Sequence, residues 1–499
     1  LSKQEKNLED RNLIYPVGKG VFVHIYPDAT SVRDGYVSVE PSSLGSLSRL
    51  MDDVDERLLD YVDQLDTDED DPEQRTENLL ACLDLICSTK DSRFRRGVLK
   101  VTENELDGLR YLMVRDKEGM GNIEPMINDP YIEDISCSGV GELFVEHKMF
   151  GGLSSNITFD NTLVLDQFVI KLSERIGRPV TMRQPIVDAV LPDGSRVNIV
   201  YGDDVSKKGS NFTIRKFSSV PMSLLDLIEL GTLSYEIAAY LSLTMGVGLN
   251  AFICGETASG KTTLLNAMTA LIPPIHKIIS IEDTAELQVP HPNWTREVVR
   301  GRAGEGSAVS MFDLLRAAMR QRPNEIIIGE IRGEEGAVAF QAMQTGHTCY
   351  STFHASSVEK LIQRLTGHPI NIPKTYVDQL SLAIVIGSVR LADGTMVRRV
   401  TSINEIVGYD TESDSFNYIE VFRWNSATDI FEFPGYMNSN IMEEVVAPKM
   451  GLSHQESRKM YDIIEERAVS FRKMHDRGIT NFYDFYKLIS QAHRQGLFR

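Results

Sequence analysis

The segment from Gly255 to Thr262, with the letters GETASGKT, places two glycines, a lysine and a threonine at the spacing G-x-x-x-x-G-K-[ST]. A strand-like apolar run over 250–254 precedes it, and a helix-forming run over 263–268 follows. In this setting the backbone N–H groups of the loop and the helix N-terminus form a cradle for phosphate. The motif requires a strand, a loop and a helix in that order, and it constrains the fold more than any other feature of the chain.

The cradle predicts that a nucleoside triphosphate binds here. We expect Lys261 to bridge the β- and γ-phosphates and the Thr262 hydroxyl to ligate Mg²⁺. ATP is favoured over GTP, because the chain has no Asn/Thr-Lys-x-Asp motif. The predicted nucleotide-binding residues are Gly255, Glu256, Thr257, Ala258, Ser259, Gly260, Lys261, Thr262 and Thr263.

Acidic side chains outnumber basic ones in this chain of 499 residues, and 71 Asp and Glu against 52 Lys and Arg give a net charge of −19. This balance argues against duplex DNA as the main partner, because neutralising phosphates needs clustered Lys and Arg. The five cysteines are scattered and include no C-x-x-C pair, which is typical of a reducing compartment. The first twenty residues show no signal peptide. We therefore expect a cytoplasmic protein with no nucleic-acid partner.

The longest uncharged stretch, 237–254, raises the question of a transmembrane helix. It contains several polar residues and glycines, and it leads directly into the phosphate-binding loop. We interpret it as a buried helix end, a turn and a core strand.

Strand-like and helical patterns alternate from Met222 onward. The strand candidates are 250–254, 277–281, 325–329, 347–353 and 382–391. Helical patterns between several of them predict a largely parallel, doubly wound sheet. Strand-like runs between 397 and 433 indicate a small antiparallel addition, and the tail from Met442 is predicted to be helical.

Upstream of Met222 the sequence predicts two regions and a linker at 218–221. Residues 100–217 are predicted to form a mixed α/β domain, with helices near 109–115 and 163–176 and strands near 132–136, 187–191 and 196–200. Residues 1–99 are polar and acidic, and the apolar side chains between 58 and 65 have helical spacing. We expect a mainly helical, solvated region there, with a docking surface for a basic partner as the alternative.

Carboxylates follow two of the strand candidates and are expected at the carboxyl edge of the sheet, where ligands bind in such folds. Glu330 ends the apolar run 326–329 and is predicted to hold Mg²⁺, although Gly329 stands where an aspartate is usual. Glu282 and Glu286 follow the candidate 277–281. If the two strands are neighbours, one of these acids orients or deprotonates the attacking water. The sequence does not choose between Glu282 and Glu286.

Two histidines, His347 and His354, lie seven residues apart around another strand candidate. In a strand they would face opposite sides of the sheet, which disfavours a shared metal site. A core histidine is the ordinary interpretation. The alternative is that His354, one strand after Glu330, contacts the γ-phosphate.

Arginines are concentrated between 296 and 332, and Arg316 and Arg320 share one face of an amphipathic helix. With the glycine-rich segment 301–306 upstream, this region resembles an interface. Exposed arginines are most often simply solvated, but in a ring enzyme arginines of a neighbour complete the ATP site. The arginines in question are Arg296, Arg300, Arg302, Arg316, Arg320, Arg322 and Arg332.

Taken together, these motifs resemble the secretion and traffic ATPase superfamily, which includes type II and type IV secretion ATPases, type IV pilus motors and the archaellum motor. The ordered series carries the resemblance: the phosphate loop, the acid box 281–286, Gly329-Glu330 and the histidine box 345–354. The segment 124–135 resembles the N-terminal domain of that family, and 212–217 resembles the segment that precedes its linker. The chain lacks the four-cysteine zinc module that bacterial type II secretion ATPases often carry, since Cys349 is the only cysteine after the loop. The acidic N-terminal region and the helical tail around 478–486 resemble the archaeal branch. Archaellum motors and pilus or secretion ATPases both remain open.

The resemblance implies an α/β fold, with a RecA-like motor domain over 222–499, a smaller mixed α/β N-terminal domain before it and a helical C-terminal tail. It implies a hexameric Mg²⁺-dependent ATPase that acts on a polytopic membrane protein at the inner face of the cytoplasmic membrane. Arg183, Arg196 and Arg215 are the candidate N-terminal arginines that reach the nucleotide. The alternatives are an ATP-driven nucleic-acid translocase and a nucleotide-switch scaffold that does not hydrolyse.

Overall fold

The computed structural model describes residues 12–28, 31–41, 47–61, 71–89, 98–217, 220–300, 308–392 and 394–497. The chain divides into two compact units, Leu1–Ser218 and Ser219–Arg499. Their boundary falls inside the segment 218–221 that the sequence suggested as a linker. Each unit has its own sheet and its own hydrophobic core.

The first unit is built on a sheet of nine strands among the described residues, in the order β1-β2-β3-β8-β7-β6-β11-β10-β9. Neighbouring strands are antiparallel except β3 and β8, which are parallel. Two short strands, β4 and β5, pair separately. The strands are β1 (Leu13–Gly18), β2 (Val21–Tyr26), β3 (Gly35–Val39), β4 (Cys87–Ser88), β5 (Leu99–Lys100), β6 (Ile132–Cys137), β7 (Gly141–His147), β8 (Gly151–Phe159), β9 (Ile186–Val190), β10 (Arg196–Val200) and β11 (Asn211–Arg215).

Helices of the first unit pack in two places. α5 buries Leu165, Val169 and Leu172, one face at helical spacing, in the core of the large sheet. α1, α2 and α3 share a second, smaller core. The helices are α1 (Leu47–Leu58), α2 (Pro72–Ile86), α3 (Glu103–Lys117), α4 (Glu124–Asn128) and α5 (Thr162–Arg175), with 3₁₀ turns at Leu59–Tyr61 and Gly121–Ile123.

The expectation of a separate, mainly helical region over 1–99 differs from the structure. Its described part contributes β1, β2 and β3 to the same sheet as residues 132–215. On β2 the side chains of Val21, Val23 and Ile25 are buried at the two-residue spacing of a strand. The low average hydropathy of the region hid this short pattern. The acidic stretch 62–70, which includes Val62 and Leu65, lies outside the described residues.

The second unit has a sheet in the order β14-β13-β15-β16-β12-β17-β18-β19-β20. The strands are parallel from β14 to β17 and antiparallel from β17 to β20. This confirms the predicted parallel, doubly wound sheet with an antiparallel addition. The strands are β12 (Ala251–Cys254), β13 (Ile278–Glu282), β14 (Trp294–Val298), β15 (Glu325–Glu330), β16 (Thr348–Phe353), β17 (Leu382–Arg390), β18 (Met396–Asp410), β19 (Ser415–Asn425) and β20 (Ile430–Glu432).

Helices cover both faces of this sheet, because its buried strands alternate between two cores. Ile253 belongs to one core, and its neighbours Phe252 and Cys254 belong to the other. The helical C-terminal tail packs in the first of these cores. The helices are α6 (Leu224–Glu229), α7 (Tyr235–Gly246), α8 (Lys261–Thr269), α9 (Met311–Arg320), α10 (Glu335–Gln344), α11 (Val358–Thr366), α12 (Ala447–Lys449), α13 (Lys459–Asp476) and α14 (Phe482–Arg494), with 3₁₀ turns at Lys374–Gln379 and His454–Glu456 and a π-helix at Ile441–Val446.

The fold class is thus the expected one: an α/β domain of the RecA type after a smaller mixed α/β unit, with a helical tail. The uncharged stretch 237–254 forms most of α7, a turn and β12, as interpreted from the sequence. Within the described ranges, every helix is too short or too polar to cross a lipid bilayer. The edge strand β14 was not predicted, since its letters WTREV are mostly polar and partly exposed.

Candidate nucleotide-binding site

The parallel part of the second sheet brings the predicted motifs to one edge. β12 carries the phosphate-binding loop, β15 ends in Glu330, and β16, which lies between them, is followed by His354. β13, which ends in Glu282, pairs directly with β15. Parallel strands put their carboxyl ends on the same side, so residues separated by about 20 to 100 positions meet there.

The loop between β12 and α8 adopts a conformation that leaves room for a ligand close to the backbone. Ala258 and Gly260 have φ angles of +61° and +97°, in the left-handed region that favours glycine. A β-carbon built on Gly255 would lie 2.3 Å from the Ile386 carbonyl oxygen and 2.5 Å from Ser259 Oγ. Only glycine can occupy position 255 without displacing the backbone of β17.

The loop and the first turn of α8 fit a phosphate. α8 begins at Lys261 with Gly260 as N-cap and no side chain capping its amides, so these donors remain directed at the loop. The buried Ser259 hydroxyl has no hydrogen-bond partner among the described residues. Such an orphaned polar atom is expected where a ligand supplies the missing bond. The Thr262 side chain is partly buried at the same helix end.

Lys261 is 8% exposed, and its Nζ donates to the carbonyl oxygens of Gly255 at 3.2 Å and Glu256 at 2.7 Å. Burial lowers the pKa of Lys261, and the nearby Glu330 carboxylate acts in the opposite direction. The ammonium is therefore held at the mouth of the loop by the loop's own carbonyls, facing the acid on β15.

Glu330 is the centre of a small charged network. Its Oε1 lies 2.8 Å from His354 Nε2, and its Oε2 lies 2.6 Å from Arg332 Nη2. Burial lowers the pKa of His354, which favours its neutral form, and the buried Glu330 Oε1 has no hydrogen-bond partner among the described residues. Arg332 also approaches Asp283 at 3.8 Å. The network joins the ends of β13, β15 and β16 beside the phosphate-binding loop.

His354 is about one-third exposed, so it is not the core histidine of the ordinary interpretation. His347 and His354 do not face opposite sides of a strand. They flank β16 at opposite ends, and His347 contacts Thr345 at 3.1 Å. A metal site shared by the two is excluded by this separation, and the described part of the chain contains no cluster of three His, Cys, Asp or Glu side chains arranged for a metal ion.

Glu282 and Glu286 have different surroundings. Glu282 is 2% exposed, and its Oε2 accepts hydrogen bonds from the backbone N–H groups of Glu286 at 2.7 Å and Leu287 at 2.8 Å. Burial raises the pKa of Glu282 to about 7, although these two amides oppose the shift. Glu286 is only partly buried. The Glu282 carboxylate is thus turned into the loop that carries Glu286.

Two further side chains hold this acidic loop against its surroundings. Asn266 on α8 donates to the Glu286 carbonyl at 3.3 Å and accepts from the Gln288 amide at 2.8 Å. Arg296 donates to the Leu287 carbonyl and lies 3.7 Å from Glu282 Oε1. The loop is therefore tied directly to the helix that begins the phosphate-binding site.

An open cleft of about 470 Å³ lies beside the start of the loop. Gly255, Glu256 and Thr257 form one wall, and His354 with residues of α11 forms the other. Arg364 of α11 donates to the His354 carbonyl oxygen and covers the Phe353 ring, with its Cζ 5.1 Å from the ring centroid. His354 therefore both lines this cleft and lies against Glu330.

Sequence reasoning identified the loop, Glu330, Glu282, Glu286 and His354, and the structure brings all of them to one edge of the sheet. It missed Asn266, Arg364 and Arg398, which contact the site from α8, α11 and β18. None of these three belongs to a recognisable motif. Of the predicted arginines in 296–332, Arg332 and Arg296 join the site as described, and Arg302 lies outside the described residues.

Arg316 and Arg320 lie on α9 of the second unit, where the Arg316 Cζ is 5.7 Å from the centroid of the Phe312 ring. Three more predicted arginines belong to the first unit. Arg196 on β10 and Arg215 on β11 stand directly opposite each other in the sheet. Arg196 makes two hydrogen bonds to the carboxylate of Asp188, at 3.0 and 2.6 Å, and Arg215 lies 3.4 Å from Asp134. Arg183 is exposed in the loop before β9.

The chain is similar to proteins of known secretion machines. A family model described as type II/IV secretion system protein matches residues 116–396. An uncharacterised protein of Methanocaldococcus jannaschii is 43% identical over 511 aligned residues, which cover 100% of this chain and 92% of that protein. The type IV secretion system protein PtlH of Bordetella pertussis is 31% identical over 269 residues, 49% of this chain and 78% of PtlH.

The chain is also similar to two solved structures at lower identity. The ATPase DotB of Legionella pneumophila is 19% identical with a TM-score of 0.44, over 74% of this chain and 94% of that one. The pilus retraction motor PilT with bound ADP is 17% identical with a TM-score of 0.39, over 68% of this chain and 93% of that one.

Proposed function

Because the chain belongs to the type II/IV secretion system protein family, as its motifs indicated, we propose that it is an ATPase that drives a membrane machine. Hydrolysis of ATP would power type II/type IV-like secretion or the assembly of a pilus or archaellum filament. The observation that carries the proposal is the Glu330 carboxylate, held by His354 and Arg332 within electrostatic reach of Lys261. A triphosphate in the loop would place its terminal phosphate among these groups.

The roles follow from what each side chain contacts. The amides of 255–263 and the Lys261 ammonium bind the phosphates. Mg²⁺, held by Thr262 and Glu330, would neutralise charge on the β- and γ-phosphates when bound. His354 Nε2 lies 2.8 Å from Glu330 Oε1, so in this proposal it positions the carboxylate beside the terminal phosphate.

The acidic loop supplies the second carboxylate. Glu282 Oε2 accepts hydrogen bonds from two loop amides. In this proposal Glu282 therefore positions the loop and does not accept a proton from water. Glu286 is left as the accessible acid, and its loop is tied to α8 by Asn266. We assign to Glu286 the role of orienting or deprotonating the attacking water.

The working assembly in this proposal is a homohexameric ring at the cytoplasmic face of a membrane, acting on a polytopic membrane protein. Arg196 and Arg215 are the candidate arginines that complete an ATP site in such a ring, since they stand side by side on adjacent strands. A particle mass near six protomers with a non-hydrolysable ATP analogue would support the ring. A protein that stays monomeric at micromolar concentration contradicts it.

The test of the ATPase is phosphate release with three variants. Glu330→Gln removes the carboxylate but keeps its shape, and we expect a fall of at least about 100-fold in kcat with ADP binding retained. Lys261→Ala is expected to weaken nucleotide binding itself. Glu334→Gln is the matched control, because Glu334 is exposed and lies four residues along the same segment. Unchanged phosphate release in the first two variants would contradict the assignment.

A further inference from the structure

Arg398 on β18 lies against the phosphate-binding loop, although no motif points to it. It pairs across the strands with Ser388 of β17. A β-carbon built on Gly260 would lie 3.2 Å from Arg398 Cδ and 3.9 Å from its Nε. The stem of the side chain therefore covers the last glycine of the loop, directly before Lys261.

The guanidinium of Arg398 is exposed and makes no hydrogen bond or ion pair with any residue that the structure describes. Its neighbour Arg399, on the opposite face of the strand, is buried and makes two hydrogen bonds to Asp429. Arg332, on the other side of the loop, is paired with Glu330. Arg398 thus brings an uncompensated positive charge to a loop built to bind an anion.

The order of the strands decides which end of a nucleotide Arg398 would meet. β16 and β15, which lead to His354 and Glu330, lie on one side of β12. β17 and β18 lie on the other side. Since Glu330 and His354 mark the position of the terminal phosphate in the proposed function, Arg398 faces the opposite, nucleoside end of the triphosphate.

We propose that Arg398 binds the α-phosphate of the nucleotide and so sets the affinity of the site for nucleotides over inorganic polyphosphates. This inference rests on the proposed function. A guanidinium presents N–H donors in a plane that matches two phosphate oxygens, and such charged hydrogen bonds are the strong ones in proteins. Arg398 makes no contact with the network of Glu330, so it contributes to binding and leaves the chemical step unaffected.

The experiment compares Arg398→Met with Arg398→Lys in the full-length protein. Methionine keeps an unbranched stem over Gly260 but removes the charge, and lysine keeps the charge but loses the planar fork. Binding of a fluorescent ADP is measured by titration, and pyrophosphate is measured by displacement of that probe. Arg423→Met is the matched control, because Arg423 is an exposed arginine on β19 of the same sheet, paired with Glu420.

We expect Arg398→Met to weaken ADP binding about 10- to 100-fold and pyrophosphate binding by less than about twofold. Lysine should restore part of the affinity, and Arg423→Met should bind like the parent protein. In steady-state hydrolysis KM should rise while kcat stays within about twofold.

Three results would overturn the inference or its premise, and they are distinguishable. If the parent protein binds ADP and Arg398→Met binds it equally well, Arg398 does not contact the nucleotide, while the proposed function stands. If Arg398→Met weakens the binding of ADP and of pyrophosphate by the same factor, Arg398 acts on the shape of the loop and not on the α-phosphate. If the parent protein binds neither ADP nor ATP, the proposed function itself fails.

Discussion

The separation of roles between Glu282 and Glu286 leads to a prediction that two substitutions at one position can test. A single oxygen of Glu282, Oε2, accepts both amide hydrogen bonds from the loop. Glutamine retains one such oxygen, so Glu282→Gln can keep the loop in place without a titratable carboxylate. Alanine removes the acceptor and leaves the amides of Glu286 and Leu287 without their partner.

The magnitudes follow from burial. Each of the two buried amides that loses its acceptor costs about 1–3 kcal/mol, so Glu282→Ala should destabilise the protein by about 2–6 kcal/mol. The freed loop carries Glu286, and phosphate release should fall at least about tenfold. Glu282→Gln should release phosphate at a rate within about threefold of the parent protein.

The parent protein and Glu282→Gln should differ in how their stability depends on pH. The pKa of Glu282 rises from 4.5 to about 7 on folding, so between these values the folded state binds more protons than the unfolded state. Stability from this group is present at low pH and is lost as pH rises towards 7. A difference of about 2.5 pH units corresponds to about 3 kcal/mol at 1.36 kcal/mol per unit. Glu282→Gln lacks this loss and should gain about 2–3 kcal/mol over the parent between pH 5 and 8.

The assay is thermal unfolding of both variants and the parent at pH 5 to 8, combined with phosphate release at pH 7.5. A gain of about 2–3 kcal/mol corresponds to a relative rise of about 4–10 °C in the unfolding midpoint. Loss of hydrolysis in Glu282→Gln as complete as in Glu282→Ala would show that the carboxylate itself takes part in the reaction. A midpoint difference that does not change with pH would refute the account of its burial.

Three further outcomes are expected. Gly260→Ala should weaken ADP binding at least about tenfold while the circular dichroism spectrum is retained, since φ is +97° there and the added carbon meets the side chain of β18; equal binding would contradict the described loop. Asn266→Ala should lower phosphate release more than ADP binding, because it frees the acidic loop from α8 but leaves the phosphate cradle intact; a parallel loss of both would place its effect in the cradle. Asp129→Ala should lower the free energy of unfolding of the first unit by about 3 kcal/mol, as measured by urea denaturation. The reason is that the buried carboxylate accepts hydrogen bonds from the phenols of Tyr15 at 2.6 Å and Tyr36 at 3.1 Å. An unchanged unfolding midpoint would show that these hydrogen bonds do not stabilise the unit.

Local sequence patterns were sufficient to predict most strands of the second unit. Strands such as β12 and β15 are short apolar runs bounded by glycine or charge, and each is recognisable without knowledge of its neighbours. β14 was not predicted, because an edge strand can be polar and then lacks an apolar pattern. β1 to β3 were not predicted, because their alternation of buried and exposed side chains is brief and lies in a region of acidic composition. Their place in the sheet depends on pairing β3 with β8, more than 110 residues away.

The candidate site divides in the same way. Gly255, Lys261, Glu330 and His354 were identified by spacing along the chain, since a phosphate loop and a strand end are built from consecutive residues. The sequence could not show which of Glu282 and Glu286 acts on the attacking water, because that depends on which carboxylate accepts the hydrogen bonds of the loop amides.

By itself, the order of residues determined that a glycine-rich turn leads from a buried strand into a helix, and that acids and a histidine terminate later strands. Each of these features is formed by fewer than about ten consecutive residues, so the sequence shows it directly. Tertiary structure alone decided that Glu282 is withdrawn into the acidic loop, that Asn266 ties this loop to α8, and that Arg398 covers Gly260 from a strand 138 residues later. These contacts arise from strand order and side-chain direction in space, and no short segment of sequence contains either.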